Sequence, residues 1–126
     1  MYSIEETDYG FKLEFGGMMT TEEMSKWKDE SFKKLKASKK TVFGCVIDMH
    51  TLKPLQPETK SVLEAGQKLY AEKGMKHSAV LVPTKLIAMQ MRNTAAASGI
   101  ASGEKYFDLE DSNAEKNAIA WAKEAK

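Results

Sequence analysis

Residues 42–48 read Val-Phe-Gly-Cys-Val-Ile-Asp, a run that is apolar up to its last position. A run without polar alternation is typical of a strand that is buried on both faces, as in the middle of a parallel or mixed sheet. Residues 78–82 read Ser-Ala-Val-Leu-Val and form a second such run, which Pro83 ends. These two segments predict the centre of an α/β sheet.

Helices are predicted after each of these strands. Pro57 and Glu58 begin one of them, since proline is favoured at the first helical position, and Gly74 ends it. Thr84 caps the next helix, which Gly99 closes. Each buried strand is therefore followed by a helical segment.

Capping boxes mark the first and last predicted helices. Thr20 with Glu23 begins the first, and Ser112 with Glu115 begins the last. Phe32 adjoins the apolar face of the first helix at helical spacing. The residues of that face are Met24, Trp27 and Leu35.

Two alternating segments precede the first helix. Residues 2–5 and 11–16 alternate apolar with polar or small residues, and residues 7–10 read as a turn, which predicts a β-hairpin with one buried face. With residues 106–107 as a short edge strand, the order is β-β-α-β-α-β-α-β-α, which calls for right-handed crossovers. The predicted fold is a single α/β domain, 1–126, with a four- to five-stranded mixed sheet and about four helices.

The composition favours one small domain without nucleic-acid or membrane-spanning character. The chain has 126 residues, 42% hydrophobic and 29% charged, which suits one domain with its own core. Nineteen basic and eighteen acidic residues nearly cancel, whereas a dedicated nucleic-acid binder usually has a clear basic excess. No apolar run approaches the roughly 20 residues of a spanning helix. Because Cys45 is the single cysteine, a reducing, cytoplasmic compartment is expected.

The order of elements resembles the STAS (SpoIIAA-like) domain, the fold of bacterial anti-sigma-factor antagonists. The resemblance rests on residues 42–63, a buried strand that ends at Asp48 before a polar loop and a helix. It rests also on residues 99–121, a glycine-bearing loop, a short strand, an acidic cap and a final helix. The resemblance implies helices packed mainly on one side of the sheet. It also implies non-enzymatic work, such as protein–protein regulation or ligand sensing.

One position departs from the family pattern. The antagonists have a phosphorylatable serine at the start of the second helix, where this chain has Leu-Gln-Pro-Glu at residues 55–58. Thr59 and Ser61 are the nearest hydroxyls, and Glu58 puts a fixed negative charge near a helix N-terminus. Glu58 either imitates a phosphorylated state or is simply a favourable first-turn residue. A further likeness in shape, to CRAL-TRIO lipid-binding domains, keeps a role in apolar-ligand binding open.

Polar residues that follow the two buried strands form the candidate site, because ligands of α/β sheets bind beyond the carboxyl ends of the strands. Asp48, His50 and Thr51 follow the first of these strands, and Thr84 and Lys85 follow the second at a helix N-terminus. Asp48 and His50 either work as a base and its orienter, or as metal ligands, or only stabilise the loop. Known phosphate, dinucleotide and zinc motifs are missing, so no catalytic residue, cofactor or metal is predicted.

Two other surfaces are candidates for binding. The third helix has Met89, Arg92 and alanines at residues 95–97, which suit a dimer face or an apolar pocket, or else only raise helix propensity. Residues 26–40 contain seven lysines, which either attract RNA, an acidic protein or an anionic membrane surface, or form an ordinary solvated face that ends in a lysine-rich loop. The sequence therefore predicts a regulatory or interaction module, with a homodimer possible. A small-ligand binder is the alternative, and an enzyme that uses Asp48 and His50 is a third hypothesis.

Overall fold

Five strands form one mixed sheet, in which neighbours in space are also neighbours in sequence. The strands are β1 (Tyr2–Glu6), β2 (Gly10–Phe15), β3 (Phe43–Asp48), β4 (Met75–Val82) and β5 (Glu104–Asp108). β1 pairs antiparallel with β2, and β2 to β5 are parallel. The computed structural model describes residues 1–126 and confirms the predicted α/β class with a mixed five-stranded sheet.

Four helices cover the two faces of the sheet unequally. They are α1 (Thr21–Ala37), α2 (Pro57–Lys73), α3 (Lys85–Ser98) and α4 (Ala114–Lys123), with a 3-10 turn at Ala101–Gly103. α1, α2 and α3 each connect two adjacent parallel strands, and right-handed crossovers in one direction place them on the same face. α4 follows the last strand and packs on the opposite face, against β3, β4 and β5. None of the four helices is long and apolar enough to cross a membrane.

The two faces of β3 explain its unbroken apolar run. Phe43, Cys45 and Ile47 belong to the large core beneath α1, α2 and α3, whereas Val46 packs under α4. Gly44 lets α4 approach closely, since a Cβ there would lie 2.2 Å from the carbonyl oxygen of Ala122. The small core under α4 is built mainly from alanines and strand residues: Val46, Ala79, Leu81, Ala114, Ala118 and Ala122.

Some predicted details of the first helix are correct and others differ. The Thr20 hydroxyl accepts the Glu23 N–H at 3.1 Å, as predicted. The reciprocal half of the capping box is absent, because the Glu23 carboxylate pairs with the N-terminal ammonium of Met1 at 2.8 Å. Phe32 does not join the buried face, and 54% of its surface is exposed.

The second predicted capping box is wrong. α4 begins after Asn113, and no side chain caps it. The residues before α4 instead form local turns, in which Asp111 accepts the Asn113 N–H through its carboxylate at 2.9 Å. The carboxylate of Asp111 is therefore the local acceptor there, and the helix begins one residue later than predicted.

Candidate functional site

The positions of α3 and α4 create a cleft at the carboxyl edge of the sheet. The chain leaves β4 towards α3 on one face and leaves β5 towards α4 on the other. Adjacent parallel strands whose connections diverge in this way open a crevice, which is where open α/β sheets bind ligands. A cleft of about 420 Å³ lies at this point. The lining of this switch-point cleft is Val82, Pro83, Thr84, Lys85, Ala88, Arg92, Tyr106, Asp108 and Glu110.

One side of the switch-point cleft is the first half of α3. Thr84 caps the helix, and its hydroxyl accepts the Ile87 N–H at 3.2 Å. Lys85 and Arg92 are seven residues apart, close to two helical turns, so both extend from the same side of α3. Ala88 lies between them, and its small side chain leaves the space that the cleft occupies.

The opposite side of the cleft is the end of β5. The guanidinium carbon of Arg92 lies 4.8 Å from the centre of the Tyr106 ring, a cation–π contact that steadies both side chains. The Tyr106 hydroxyl donates a short hydrogen bond to Glu104. Ser78 donates to the other carboxylate oxygen of Glu104 at 2.9 Å. Tyr106 is therefore held in place from both its ring face and its hydroxyl.

Burial raises the pKa values of both Glu104 and Tyr106. Desolvation raises the pKa of the Glu104 carboxyl, although the hydrogen bonds from Tyr106 and Ser78 oppose the shift. Burial also raises the pKa of the Tyr106 hydroxyl, and the adjacent Glu104 raises it further. Tyr106 therefore remains a neutral donor near pH 7.

The mouth of the switch-point cleft has balanced charge. Lys85 and Arg92 on α3 face a lining that also includes Asp108 and Glu110 after β5. One carboxylate oxygen of Asp108 accepts the Glu110 N–H at 2.9 Å, which fixes the turn that presents both acids. Two cations and two carboxylates around one opening suit a zwitterionic ligand or a charged surface of a protein partner.

Three of the predicted site residues belong to a neighbouring cleft, which we call the loop cleft. It has a volume of about 360 Å³ and is lined by residues of the β3–α2 and β4–α3 connections. His50, Thr51 and Thr84 are among them, so that Thr84 borders both clefts. Lys85 and Arg92 line only the switch-point cleft, and the predicted residues are thus divided between two adjacent openings.

Asp48 and Thr51 have local structural partners. Asp48 accepts the backbone N–H of His50 at 2.9 Å and so holds the first turn of the loop. The Thr51 hydroxyl accepts the Gly17 N–H at 3.2 Å, and the Thr51 carbonyl accepts the same N–H at 3.1 Å. These bonds join the β2–α1 and β3–α2 loops. His50 is exposed at the rim of the loop cleft.

Glu58 and Met89 lie outside both clefts. Glu58 is exposed in the first turn of α2, behind Pro57. Met89 is 52% exposed on α3, one helical turn after Leu86, which is 48% exposed. We call these two side chains the α3 ridge. Leu86 also lines the loop cleft, so the α3 ridge lies directly beside that cleft.

The two hydroxyls near the start of α2 differ in accessibility. Thr59 is buried between the helices, where its hydroxyl lies 2.9 Å from that of Thr21. Ser61 is exposed and donates to the Pro57 carbonyl at 3.3 Å. Of these two hydroxyls, only that of Ser61 is accessible to a modifying enzyme in the folded chain.

The Gln90 side chain fixes α3 to the loop before α2. Its carbonyl oxygen accepts the Leu55 N–H at 2.9 Å, and its amide donates to the Leu55 carbonyl at 3.2 Å. This reciprocal pair satisfies a backbone donor and a backbone acceptor that the loop would otherwise leave open. The pair therefore joins α3, which carries the α3 ridge, to the loop whose residues His50 to Pro54 line the loop cleft.

The interior of the protein has little free space. The internal cavity between the sheet and the helices has a volume of about 20 Å³, and its lining is mainly apolar. That is space for about one water molecule. Cys45 is fully buried within the core beneath α1, α2 and α3, and burial raises the pKa of its thiol. No group of three or more His, Cys, Asp or Glu residues is arranged to hold a metal ion.

Sequence reasoning missed Tyr106, Asp108 and Glu110 as site residues. The sequence predicts Tyr106 and Asp108 only as parts of a short strand, and the acidic residues that follow only as a cap before the last helix. The rule that selected Thr84 and Lys85 after β4 applies equally to residues after β5. Applied there, it selects Asp108 and Glu110.

Comparison with known proteins finds no matching family model, no matching curated protein and no matching solved structure.

Proposed function

We propose that this chain is a non-enzymatic regulatory module of the STAS type, which binds a protein partner through the carboxyl edge of its sheet. The observation that supports this most strongly is the α3 ridge. Leu86 and Met89 are both about half exposed and one turn apart, and the adjacent loop cleft also has polar lining residues, among them His50, Thr51 and Lys53. Apolar side chains surrounded by polar residues are the usual core of a binding surface.

The hydrogen bonds that join the segments of this surface support the proposal further. Gln90 fixes α3 to Leu55, and Thr51 joins the two preceding loops. A preorganised surface loses little conformational entropy when a partner binds, so more of the contact energy is retained as affinity. Met89 adds adaptability, since an unbranched thioether side chain fits varied apolar partners.

Native mass spectrometry of the protein, gently purified from its own host, tests this proposal. We expect an added protein mass, from a regulatory partner or from a second copy of the chain. The double variant Leu86→Ser, Met89→Ser should weaken that complex by about tenfold or more, because central apolar contacts dominate binding energy.

The matched control is Val42→Ser. Val42 is 47% exposed, close to the exposure of Leu86, and it lies before β3 at the opposite edge of the sheet. The control should retain the partner. Equal loss in both variants would indicate a general effect of surface apolarity and would contradict the assignment to α3.

A small ionic ligand is the second candidate, favoured by one observation. The switch-point cleft has a volume of about 420 Å³, within the range of roughly 300–1,000 Å³ of small-molecule sites. Its two cations and two carboxylates would select a zwitterion. In the same experiment, a small added mass that is lost on denaturation and reduced in Lys85→Ala would favour this candidate.

The remaining alternatives have less support. A lipid of the CRAL-TRIO type needs an enclosed chamber far larger than the internal cavity of about 20 Å³. An enzyme that uses Asp48 and His50 would need these side chains to cooperate, whereas Asp48 accepts the backbone N–H of His50. A phosphorylation switch in this region would act through Ser61, since Thr59 is buried.

A further inference from the structure

The chain has eight methionines, and their side chains fall into two groups by exposure. Met75 is half-buried, and four others are buried, namely Met19, Met24, Met49 and Met91. The remaining three, Met1, Met18 and Met89, each expose more than half of their surface. They are three of the six large apolar side chains that the fold leaves exposed, so much of the accessible apolar surface is thioether.

The three exposed methionines lie towards one edge of the sheet. Met1 exchanges two backbone hydrogen bonds, of 2.8 and 2.9 Å, with Gly16, which directly follows β2. Met18 lies in the connection from β2 to α1, and Met89 lies in the second turn of α3, the helix that follows β4. Because β2 and β4 run in the same direction, their ends meet at the carboxyl edge of the sheet. The surface on which the proposed function rests therefore carries all three.

Hydrogen bonds connect the segment of Met18 to the helix of Met89. The carbonyl of Gly17, next to Met18, accepts a backbone N–H of the β3–α2 connection at 3.0 Å. The side chain of Gln90, next to Met89, makes its reciprocal pair with the same connection. The two methionines thus belong to segments that flank one loop.

The single thiol of the chain is protected from oxidants. Cys45 is fully buried, and burial raises the pKa of its thiol. Oxidants react with cysteine as an accessible thiolate, whereas Cys45 is an enclosed neutral thiol near pH 7. The exposed thioethers are consequently the sulfur atoms that an oxidant in solution reaches first.

We propose that the carboxyl edge is an oxidation-sensitive surface, at which hydrogen peroxide converts Met18 and Met89 to sulfoxides and so releases the protein partner. This inference rests on the proposed function, because it assigns a form of regulation to the same surface. Oxidation acts on the free chain, since a bound partner would cover Met89.

The chemical step is a two-electron oxygen transfer. The thioether sulfur attacks one peroxide oxygen, so that an S–O bond forms and the O–O bond breaks. The proton on the transferred oxygen moves to the departing hydroxide, which leaves as water. The sulfur is thereby oxidised and the peroxide reduced. Methionine sulfoxide reductases reverse the change with two thiols, which become a disulfide while the oxygen leaves as water.

Oxidation exchanges an adaptable apolar group for a polar one. A thioether fits varied apolar partners, whereas a sulfoxide oxygen must lose its water when a partner covers it. Met89 is one of the two side chains of the α3 ridge, so a single oxygen atom there removes much of the apolar character of the ridge. The fold should persist, because Met18 and Met89 project into solvent.

Peptide mapping tests whether peroxide selects these two sites. The full chain is treated with hydrogen peroxide at neutral pH, freed of peroxide, digested with trypsin and analysed by tandem mass spectrometry. Residues 13–26 form one tryptic peptide, which contains Met18 beside the buried Met19. Residues 86–92 form another, which contains Met89 and the buried Met91. We expect Met18 and Met89 to oxidise at least about tenfold faster than these internal controls.

Native mass spectrometry then measures whether oxidation releases the partner. The free chain is oxidised, desalted and mixed with the partner recovered from the host complex, or measured alone if the partner is a second copy. We expect binding to weaken by about tenfold or more, and methionine sulfoxide reductases to restore it. The double variant Met18→Leu, Met89→Leu keeps both side chains apolar and should retain the partner after the same treatment.

Several results would overturn the proposal. They are oxidation of Met19 and Met91 as fast as that of Met18 and Met89, undiminished partner binding by the oxidised chain, or equal loss of binding in the leucine variant. Absence of any complex before oxidation would contradict the proposed function together with the release step. A complex that forms equally well after oxidation would contradict only the release step, so the two failures are distinguishable.

Discussion

Glu104 is the residue whose environment most clearly departs from that of an ordinary surface acid. Its carboxylate is enclosed at the start of β5, where Ser78 and Tyr106 each donate to one of its oxygens. Because desolvation outweighs these hydrogen bonds, the pKa of Glu104 is raised. Folding therefore favours the protonated form of this side chain.

This environment predicts a pH-dependent effect of Glu104→Gln. A folded pKa above the unfolded value means that the contribution of Glu104 to stability is complete below the unfolded pKa and declines as pH rises through the folded pKa. Glutamine does not titrate and retains an acceptor for Tyr106. We expect the free energy of unfolding of the wild type, relative to the variant, to fall as pH rises above about 4.3, the ordinary pKa of a glutamate.

Urea unfolding of both proteins across this range measures the difference. Glu110→Gln is the matched control, because Glu110 is exposed at the mouth of the switch-point cleft. Its difference from wild type should not follow the pH trend of Glu104→Gln. A wild-type advantage that grows with pH would show that the hydrogen bonds outweigh burial at this position.

At the scale of elements, the packing of α1 on α2 depends on Gly66. A Cβ at this position would lie 2.1 Å from Cζ3 of Trp27, closer than any real contact. Trp27 has little freedom to move, since it stacks on Tyr70 at 5.9 Å and meets Phe15 edge-on at 5.0 Å. The glycine is required for helix approach, even though it lowers helix propensity.

Gly66→Ala sets two effects of known size against each other. Alanine in a helix interior is favoured over glycine by about 1 kcal/mol, whereas overpacking a core costs roughly 1–3 kcal/mol and sometimes more. Because the clash involves a fully buried ring, we expect packing to dominate and the free energy of unfolding to fall by up to about 2 kcal/mol. Chemical denaturation measures this loss.

The same substitution in a Trp27→Phe background tests the cause. Phenylalanine lacks the ring atoms that meet the new methyl group, so the cost of Gly66→Ala should shrink or change sign. Trp27 Nε1 is buried without a hydrogen-bond partner, so its removal gives up no polar contact. An undiminished cost in the double variant would show that the methyl group clashes with something other than Trp27.

In the molecule as a whole, the hydrophobic cores on the two sides of the sheet differ in size. The core under α1, α2 and α3 contains twenty buried apolar residues, whereas the core under α4 contains six. The apolar residues that α4 buries are largely alanines, which contribute little area each. α4 and the layer formed by α1, α2 and α3 should therefore detach from the sheet at different free energies of opening.

Native-state hydrogen exchange tests this difference. Amides of β3 and β4, which have neighbours on both edges, should exchange slowest, at free energies close to that of global unfolding. Amides of α4 should exchange faster than those of α1 and α2, because α4 can detach while the larger core persists. Exchange of α4 as slow as that of β3 would mean that both layers unfold as one unit.

This difference also bears on the candidate site. The switch-point cleft lies where the chain departs for α3 on one face and for α4 on the other. Glu110 belongs to the connection that enters α4, and Asp108 is the last residue of β5 before it. Opening of α4 would therefore alter the acidic side of the cleft and leave Lys85 and Arg92 in place.

Local sequence patterns predict the order and type of the elements, because the signals for these act over a few residues. Thr20 and Thr84 cap their helices, Pro57 begins one, and Gly99 ends one with a φ of 87°. Local backbone sterics and short hydrogen bonds decide such positions. Thr84 and Lys85 are site candidates because they follow a buried strand of the predicted sheet, and Arg92 because it lies on the third predicted helix.

The face of the sheet that α4 covers, and with it the position of the switch-point cleft, depends on long-range packing. α4 packs over the apolar side chains of Val46, Ala79 and Leu81. The absence of a side chain at Gly44 lets the helix approach the sheet closely. That choice brings residues after β5 opposite α3, so that Lys85 and Glu110 share one opening. Burial of apolar surface acts between segments far apart in the chain, which is why no local pattern reveals it.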